Sequence, residues 1–142
     1  MAYISKKQRE KIKQKFDGLC AYSGTKLEDD WQIDHIIPVR RNPDKSLQPT
    51  ELDCEENLVP VQKLINHYKH SLDLETFRNW HLKGLHNRLG KLPKNPKTEK
   101  SKRKIEYLNK IASYFKITPT KPFSGTFYFE KKHDKSHCLE QK

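Results

Sequence analysis

The order of a few short apolar segments constrains this chain more than anything else in it. Residues 31–37, Trp-Gln-Ile-Asp-His-Ile-Ile, alternate well enough for a strand that Pro38 ends, and residues 58–61, Leu-Val-Pro-Val, read as a second. Directly afterwards Val61, Leu64, Ile65 and Tyr68 fall at i, i+3, i+4 and i+7, the stripe of an amphipathic helix. Between the strands, residues 40–56 are punctuated by Asn42-Pro43-Asp44 and Pro49 and show no apolar period, so they read as loop. Strand, loop, strand, helix is the result. With 33% hydrophobic residues in 142, one modest core is available and a multilayer fold with a deep cavity is not. Aromatic residues at 10% exclude a wholly disordered chain. No apolar run approaches the ~18 residues of a membrane span, and Met1–Lys7 has no apolar signal region.

Helices are expected on either side of this unit. Ser5 with Gln8 resembles a capping box, opening a basic helix over 5–16 that stops at Asp17-Gly18. Residues 20–30 are rich in turn signals around Ser23-Gly24. A helix over 74–89 would bury Leu74, Phe77, His81, Leu85 and Leu89 and end at Gly90. A lysine-rich connector over 91–104 precedes a helix with Ile105, Leu108, Ile111, Ala112 and Phe115 inward. Residues 125–129 read as a late strand, and from Glu130 the tail reads as disordered. The fold class is therefore α+β. The expected divisions are a basic helix at 1–16, a central domain at 17–90, a basic linker, helix and strand at 91–129, and a tail at 130–142.

Charge adds a second constraint. The chain carries 29 basic and 18 acidic residues, for a net +11, but residues 17–60 hold four basic and ten acidic side chains. Residues 61–116 hold fourteen basic and four acidic. Basic flanks suit a polyanion, whose counterions they release. An acidic block within them repels that polyanion unless a cation intervenes, which is the pairing a metal-dependent nuclease needs. A solvated lysine-rich surface with a chance acidic loop accounts for the charge equally well.

The motifs decide between these. Asp34-His35 closes the first strand in Trp31-Gln32-Ile33-Asp34-His35-Ile36-Ile37-Pro38; Asn57 precedes the second in Glu56-Asn57-Leu58-Val59-Pro60; and Asn66-His67-Tyr68-Lys69 lies on the helix that follows. In this order and at this spacing, they resemble the HNH endonuclease superfamily, the ββα-metal nucleases. The resemblance covers about residues 18–70 and implies a small ββα-metal core with flanking helices. It implies hydrolysis of DNA phosphodiester bonds with one divalent metal, leaving 5′-phosphate and 3′-hydroxyl ends.

The implied roles have physical reasons. His35 is the general base, since a neutral imidazole with a pKa of ~6.5 accepts a proton near neutrality. Asp34 and Asn66 offer hard oxygen ligands to Mg²⁺, which Mn²⁺ or Ni²⁺ can replace, and His70 one turn after Asn66 is a further ligand candidate. Asn57 ties the loop and orients the histidine. Alternation along a regular strand turns Asp34 and His35 to opposite faces, so the strand is expected to break there. Phosphate contacts are assigned to Arg40, Arg41, Lys69, Lys94, Lys97, Lys102 and Arg103.

Two departures from the family pattern matter. Many relatives carry two CxxC pairs for a structural zinc, whereas here the four positions read Cys20, Ser23, Gln62 and Ile65, so no structural zinc is expected. The literal H-N-H spelling selects His67 as ligand, whereas the helical wheel favours Asn66. His81, His86, His133, His137 and Cys138 read as packing, DNA-contact or tail residues. Three cysteines without a CxxC pair suggest a reduced, cytoplasmic protein. DNA is the expected partner; membrane is not. A non-cleaving binding module, or the nuclease subunit of a larger defence, restriction or phage-packaging complex, are the alternatives. Neither a homodimer nor a protein partner is readable.

Overall fold

The computed structural model describes residues 4–37 and 55–132. Pro38, Arg40, Arg41, Cys54, His133, His137 and Cys138 lie outside the described residues, as does most of the expected 40–56 loop. Two compact units divide the chain: described residues within Met1–Leu74 and Phe127–Lys142 form one, and Glu75–Thr126 the other. The expected boundary at residue 90 does not coincide with this division.

The first unit is built on two antiparallel strands, β1 (Gln32–His35) and β2 (Leu58–Val61). Their register pairs Gln32 with Val61, Ile33 with Pro60, Asp34 with Val59 and His35 with Leu58. Proline is tolerated in β2 because a two-stranded sheet has only edges. The carbonyl of Pro60 is used all the same, accepting the Ala21 N–H at 2.8 Å. Helix α1 (Lys6–Gln14) begins with the capping box expected from sequence: the Ser5 side chain accepts from the Gln8 N–H, and the Gln8 side chain accepts from the Ser5 N–H. Its basic residues are partly structural. Arg9 donates to the Trp31 carbonyl at 2.6 Å and stacks 3.9 Å from the Trp31 ring, while Lys15 donates to the Leu58 carbonyl.

Helix α2 (Lys63–Lys69) follows β2 after a single residue. The stripe expected to face inward was Val61, Leu64, Ile65 and Tyr68. The structure instead assigns Val61 to β2 and buries Ile65 and Lys69, with Leu64 and Tyr68 half-buried. The inward face is therefore turned by about one residue from the apolar reading, because an ion pair draws Lys69 in.

The late strand expected at 125–129 is not formed, and the tail does not begin at Glu130. Residues Tyr128–Lys132 instead form a short helix, here α6, in the first unit. The Phe127 N–H is capped by the Glu130 carboxylate at 2.9 Å, which turns the chain into a helix. Tyr128 and Phe129 donate their N–H groups to the carbonyls of Tyr22 and Ala21. Phe127 is fully buried, with its ring 5.3 Å from that of Tyr22. Gly24 makes the approach possible: its φ is +74°, and a Cβ there would lie 2.6 Å from Tyr128 Cδ1.

The helix expected over 74–89, of which all but Leu74 belongs to the second unit, is three pieces. A turn of α-helix, α3 (Leu74–Thr76), is succeeded by a π-helical segment, Phe77–Leu82, and then by α4 (Leu85–Gly90). The π turn inserts an extra residue into the period. Phe77 is buried with Leu82, five positions on, rather than with His81, after which Leu85 and Leu89 resume the stripe. Leu74 and His81, both expected inward, are half-buried. Partial burial, with the Arg88 charge second, lowers the His81 pKa from its usual value. The same segment leaves Trp80 74% exposed.

Helix α5 (Glu99–Phe115) begins inside the expected lysine-rich connector, because Thr98 caps it by accepting from the Ser101 N–H at 3.1 Å. Leu108, Ile111 and Ala112 are buried as expected, while Ile105 and Phe115 are half-buried. Lys116, in the left-handed region at φ 59°, closes the helix, and the Ile117 N–H returns to the Ala112 carbonyl. Among the described residues no helix is long and apolar enough to cross a membrane. The protein is thus of mixed α and β structure, with a small two-stranded sheet and several helices.

Candidate functional site

The first unit brings Asp34, His35, Asn57 and Asn66 onto neighbouring elements. Asn57 ends a 3-10 turn, Glu55–Asn57, and is fully buried just before β2. Its side chain clasps both backbone polar groups of one residue, Ile37, where the chain leaves β1. The Asn57 Oδ1 accepts from the Ile37 N–H at 2.8 Å, and its Nδ2 donates to the Ile37 carbonyl at 3.1 Å. The Ile36 N–H completes the clasp on the Asn57 carbonyl. An asparagine suits this position because it donates and accepts at once in the geometry of a peptide. The clasp fixes the backbone immediately after His35.

The strand does not break between Asp34 and His35, contrary to the sequence reading. The ladder continues through the His35–Leu58 pair, and the bend comes at Ile36 and Ile37. The two side chains accordingly leave opposite faces of the ribbon. Helix α2 covers the face that carries Gln32 and Asp34. Asn66 Nδ2 donates to Gln32 Oε1 at 2.7 Å, and one helical turn later Lys69 Nζ lies 3.0 Å from Asp34 Oδ2. Residues i and i+2 of the strand thus meet residues i and i+3 of the helix.

Asp34 has a second partner. The Tyr22 hydroxyl donates to Oδ2 at 2.7 Å, and Tyr22 is buried. Burial, then the negative charge of Asp34 and the hydrogen bond to it, raises the Tyr22 phenol well above its usual range. The phenol therefore stays protonated and acts as a donor. Lys69, 1% exposed, also stands 3.5 Å from the His35 carbonyl and 5.9 Å from the centre of the Tyr22 ring. Its ammonium is at Asp34 and not at the surface, whereas the sequence reading had given it to a phosphate.

Tyr22 and Lys69 are the site residues that sequence reasoning missed as partners of Asp34. Spacing puts Lys69 on the face of Ile65, four residues earlier, but nothing in the spacing sets it against Asp34. Tyr22 sits among turn residues without periodicity and had no signal.

The remaining candidates are placed as follows. Asn66 is half-buried on the sheet-facing side of α2, not opposite its inward face. His67 is exposed on the helix. His70 leaves the helix, with φ 55° and its Nδ1 3.1 Å from Ser71 Oγ, so it does not stack above Asn66 as the next turn. In the second unit Lys94, Lys97 and Arg103 are exposed, and Lys102 makes a surface pair with Glu99 at 3.4 Å.

Asp34 and Asn66 carry oxygens of the kind that hold hard cations, and the Lys69 ammonium already stands 3.0 Å from Asp34 Oδ2. Both contacts of the Asp34 carboxylate fall on Oδ2, leaving Oδ1 as an anionic oxygen, and the bond from Asn66 Nδ2 to Gln32 fixes which way the Asn66 amide oxygen turns. Among the described residues, no group of three or more His, Cys, Asp and Glu gathers around one point. Gln62, one of the four positions read in the sequence in place of zinc-binding cysteines, cross-links the 25–28 turn. Its Nε2 donates to the Lys26 carbonyl at 2.7 Å and to Thr25 Oγ1 at 3.0 Å, and its Oε1 accepts from the Glu28 N–H at 3.1 Å. Cys20 and Ile65 pack fully buried, and Ser23 Oγ is 2.7 Å from Thr25 Oγ1.

No protein-family model, curated protein or solved structure matches this chain.

Proposed function

We propose that the protein is an HNH-type endonuclease that hydrolyses DNA phosphodiester bonds and leaves 5′-phosphate and 3′-hydroxyl ends. The observation that carries this reading is the Asn57 clasp on Ile37. It holds the end of a strand bearing Asp34 and His35 against a second antiparallel strand that leads straight into the helix bearing Asn66. Strand, strand and helix in this order, with the loop end tied down, support the reading. His35 takes the proton from the attacking water, and Asn57 holds the backbone on which His35 stands. Tyr22 and Lys69 fix the direction of the Asp34 carboxylate. Asp34 Oδ1 and the Asn66 amide oxygen would hold Mg²⁺, or Mn²⁺ or Ni²⁺ in its place, and the ion would offset negative charge developing on the phosphate. Protein ligands this few leave positions for water and substrate oxygens. A reduced compartment, the cytoplasm, suits a chain whose Cys20 is buried as a free thiol.

One observation favours a second reading, a non-cleaving nucleic-acid-binding module. The Lys69–Tyr22 grip on Asp34 and the unbroken ladder through His35 leave the acid and the base on opposite faces. Incubation with supercoiled plasmid in Mg²⁺ and in EDTA separates the two. Nicked or linear product in Mg²⁺ alone, abolished by His35→Ala with the melting temperature retained, is the outcome expected of the nuclease. Plasmid binding without product in any divalent metal supports the binding module. Melting that collapses together with activity makes His35 a structural residue.

A further inference from the structure

The second unit holds a cleft that the chemistry at Asp34 and His35 does not use. Glu75–Thr126 carries thirteen basic and three acidic side chains. Between α4 and α5 lies a cavity of about 330 Å³. Arg88, Lys91 and Lys104, all exposed, border it, together with Ser101 in the first turn of α5; the Arg88 guanidinium also donates to the His81 carbonyl. Its walls are apolar, with Pro93 and Ile105 above the buried Leu108. No acidic side chain lines it.

This combination narrows the ligand. Three cations beside the positive end of a 17-residue helix favour an anion. A simple phosphate site has no use for an apolar wall, and a purely apolar ligand has none for three cations. A flat, weakly polar body joined to a phosphate meets both conditions, and the volume lies at the lower end of small-ligand cavities. Bases in a duplex are stacked and cannot enter such a cleft, whereas those of a single strand can. We infer that the cleft between α4 and α5 takes one unstacked nucleotide of a single-stranded nucleic acid. Its base lies against Ile105 and Leu108, and its phosphate among Arg88, Lys91 and Lys104. This assignment needs no cleavage chemistry and stands apart from it.

The test is fluorescence anisotropy of the full chain with a labelled short oligothymidylate in EDTA, using inorganic polyphosphate as the competitor without bases. Lys104→Glu is compared with Lys110→Glu, an equal charge change on the same helix outside the cleft. The cleft variant is expected to weaken binding about tenfold and the outside variant about twofold. Ser101→Trp, which fills the cleft at unchanged charge, is expected to cost about tenfold for oligothymidylate and to leave polyphosphate unaffected. Lys104 and Lys110 are exposed and Ser101 is half-buried in the first turn of α5, and circular dichroism checks that all three variants keep their fold. Equal losses for the two glutamate variants overturn the inference. So does oligothymidylate binding that ignores Ser101→Trp, or that is no tighter than polyphosphate. Plasmid cleavage by the same proteins keeps the two proposals distinct. A chain that binds oligothymidylate through the cleft yet never cuts refutes only the nuclease, and a chain that cuts while ignoring Ser101→Trp refutes only the cleft.

Discussion

Replacing Lys69 by methionine keeps the length of the side chain and removes its charge, so it tests whether Asp34 depends on a buried cation. The ammonium is 1% exposed and 3.0 Å from Asp34 Oδ2, and the carboxylate side is 14% exposed. Removing one member of a buried pair costs about 3–5 kcal/mol, because the other charge stays behind without its partner. Here the Tyr22 hydroxyl still donates to Asp34, and the slight exposure of the carboxylate admits some solvent. The cost should therefore sit at the lower bound, about 3 kcal/mol. For a domain of this size that is a fall in melting temperature of about 10 °C. Asp34→Asn should cost about 2–3 kcal/mol, since it leaves Lys69 buried and charged. The double variant removes both charges at once, so it should be more stable than the two single losses predict, by about 2 kcal/mol. Urea denaturation followed by circular dichroism, with the slope compared among all four proteins, measures each term. Additive losses would refute the reasoning, because they would mean that Lys69 and Asp34 do not share an interaction.

Gln62→Ala removes three hydrogen bonds from a side chain that is 1% exposed, and it should cost about 2–4 kcal/mol. Urea denaturation checks this, and a loss below about 0.5 kcal/mol would show that the 25–28 turn holds itself. Tyr22→Phe should alter the response to alkali. A phenol whose folded pKa lies above its unfolded value of 10.0 stabilises the fold fully below that pH, and its contribution is lost as pH rises through the folded pKa. Stability measured at pH 8 and above pH 10 should therefore fall more in the parent than in the phenylalanine variant. Equal falls would place the phenol outside the linkage. Asn57→Asp keeps the acceptor for the Ile37 N–H and loses the donor to its carbonyl, so it should destabilise by about 1–3 kcal/mol. Asn57→Ala should cost more, and plasmid nicking should decline with it if the clasp positions His35.

Much of the local order is written in the sequence. Ser5 and Gln8 announce the start of α1, and the short Leu58–Val61 segment is a strand despite its proline. Leu108, Ile111 and Ala112 mark the inward face of α5. These are contacts between near neighbours in the chain, so spacing and residue type suffice to specify them. Asp34, Asn57 and Asn66 could likewise be placed on a strand end, before a strand and on a helix. What spacing does not contain is the rotation of one element against another. Whether Tyr68 or Lys69 turns inward depends on a carboxylate 35 residues away in sequence, and a helical wheel has no term for that charge. The π segment at Phe77–Leu82 exchanges His81 for Leu82 because one added residue per turn lets the larger apolar side chain reach the interior. Residues 125–129 have strand composition, but a strand needs a neighbouring ladder. Instead the N–H groups of Tyr128 and Phe129 go to the carbonyls of Tyr22 and Ala21, more than 100 residues away in sequence, and Tyr128–Lys132 is a helix.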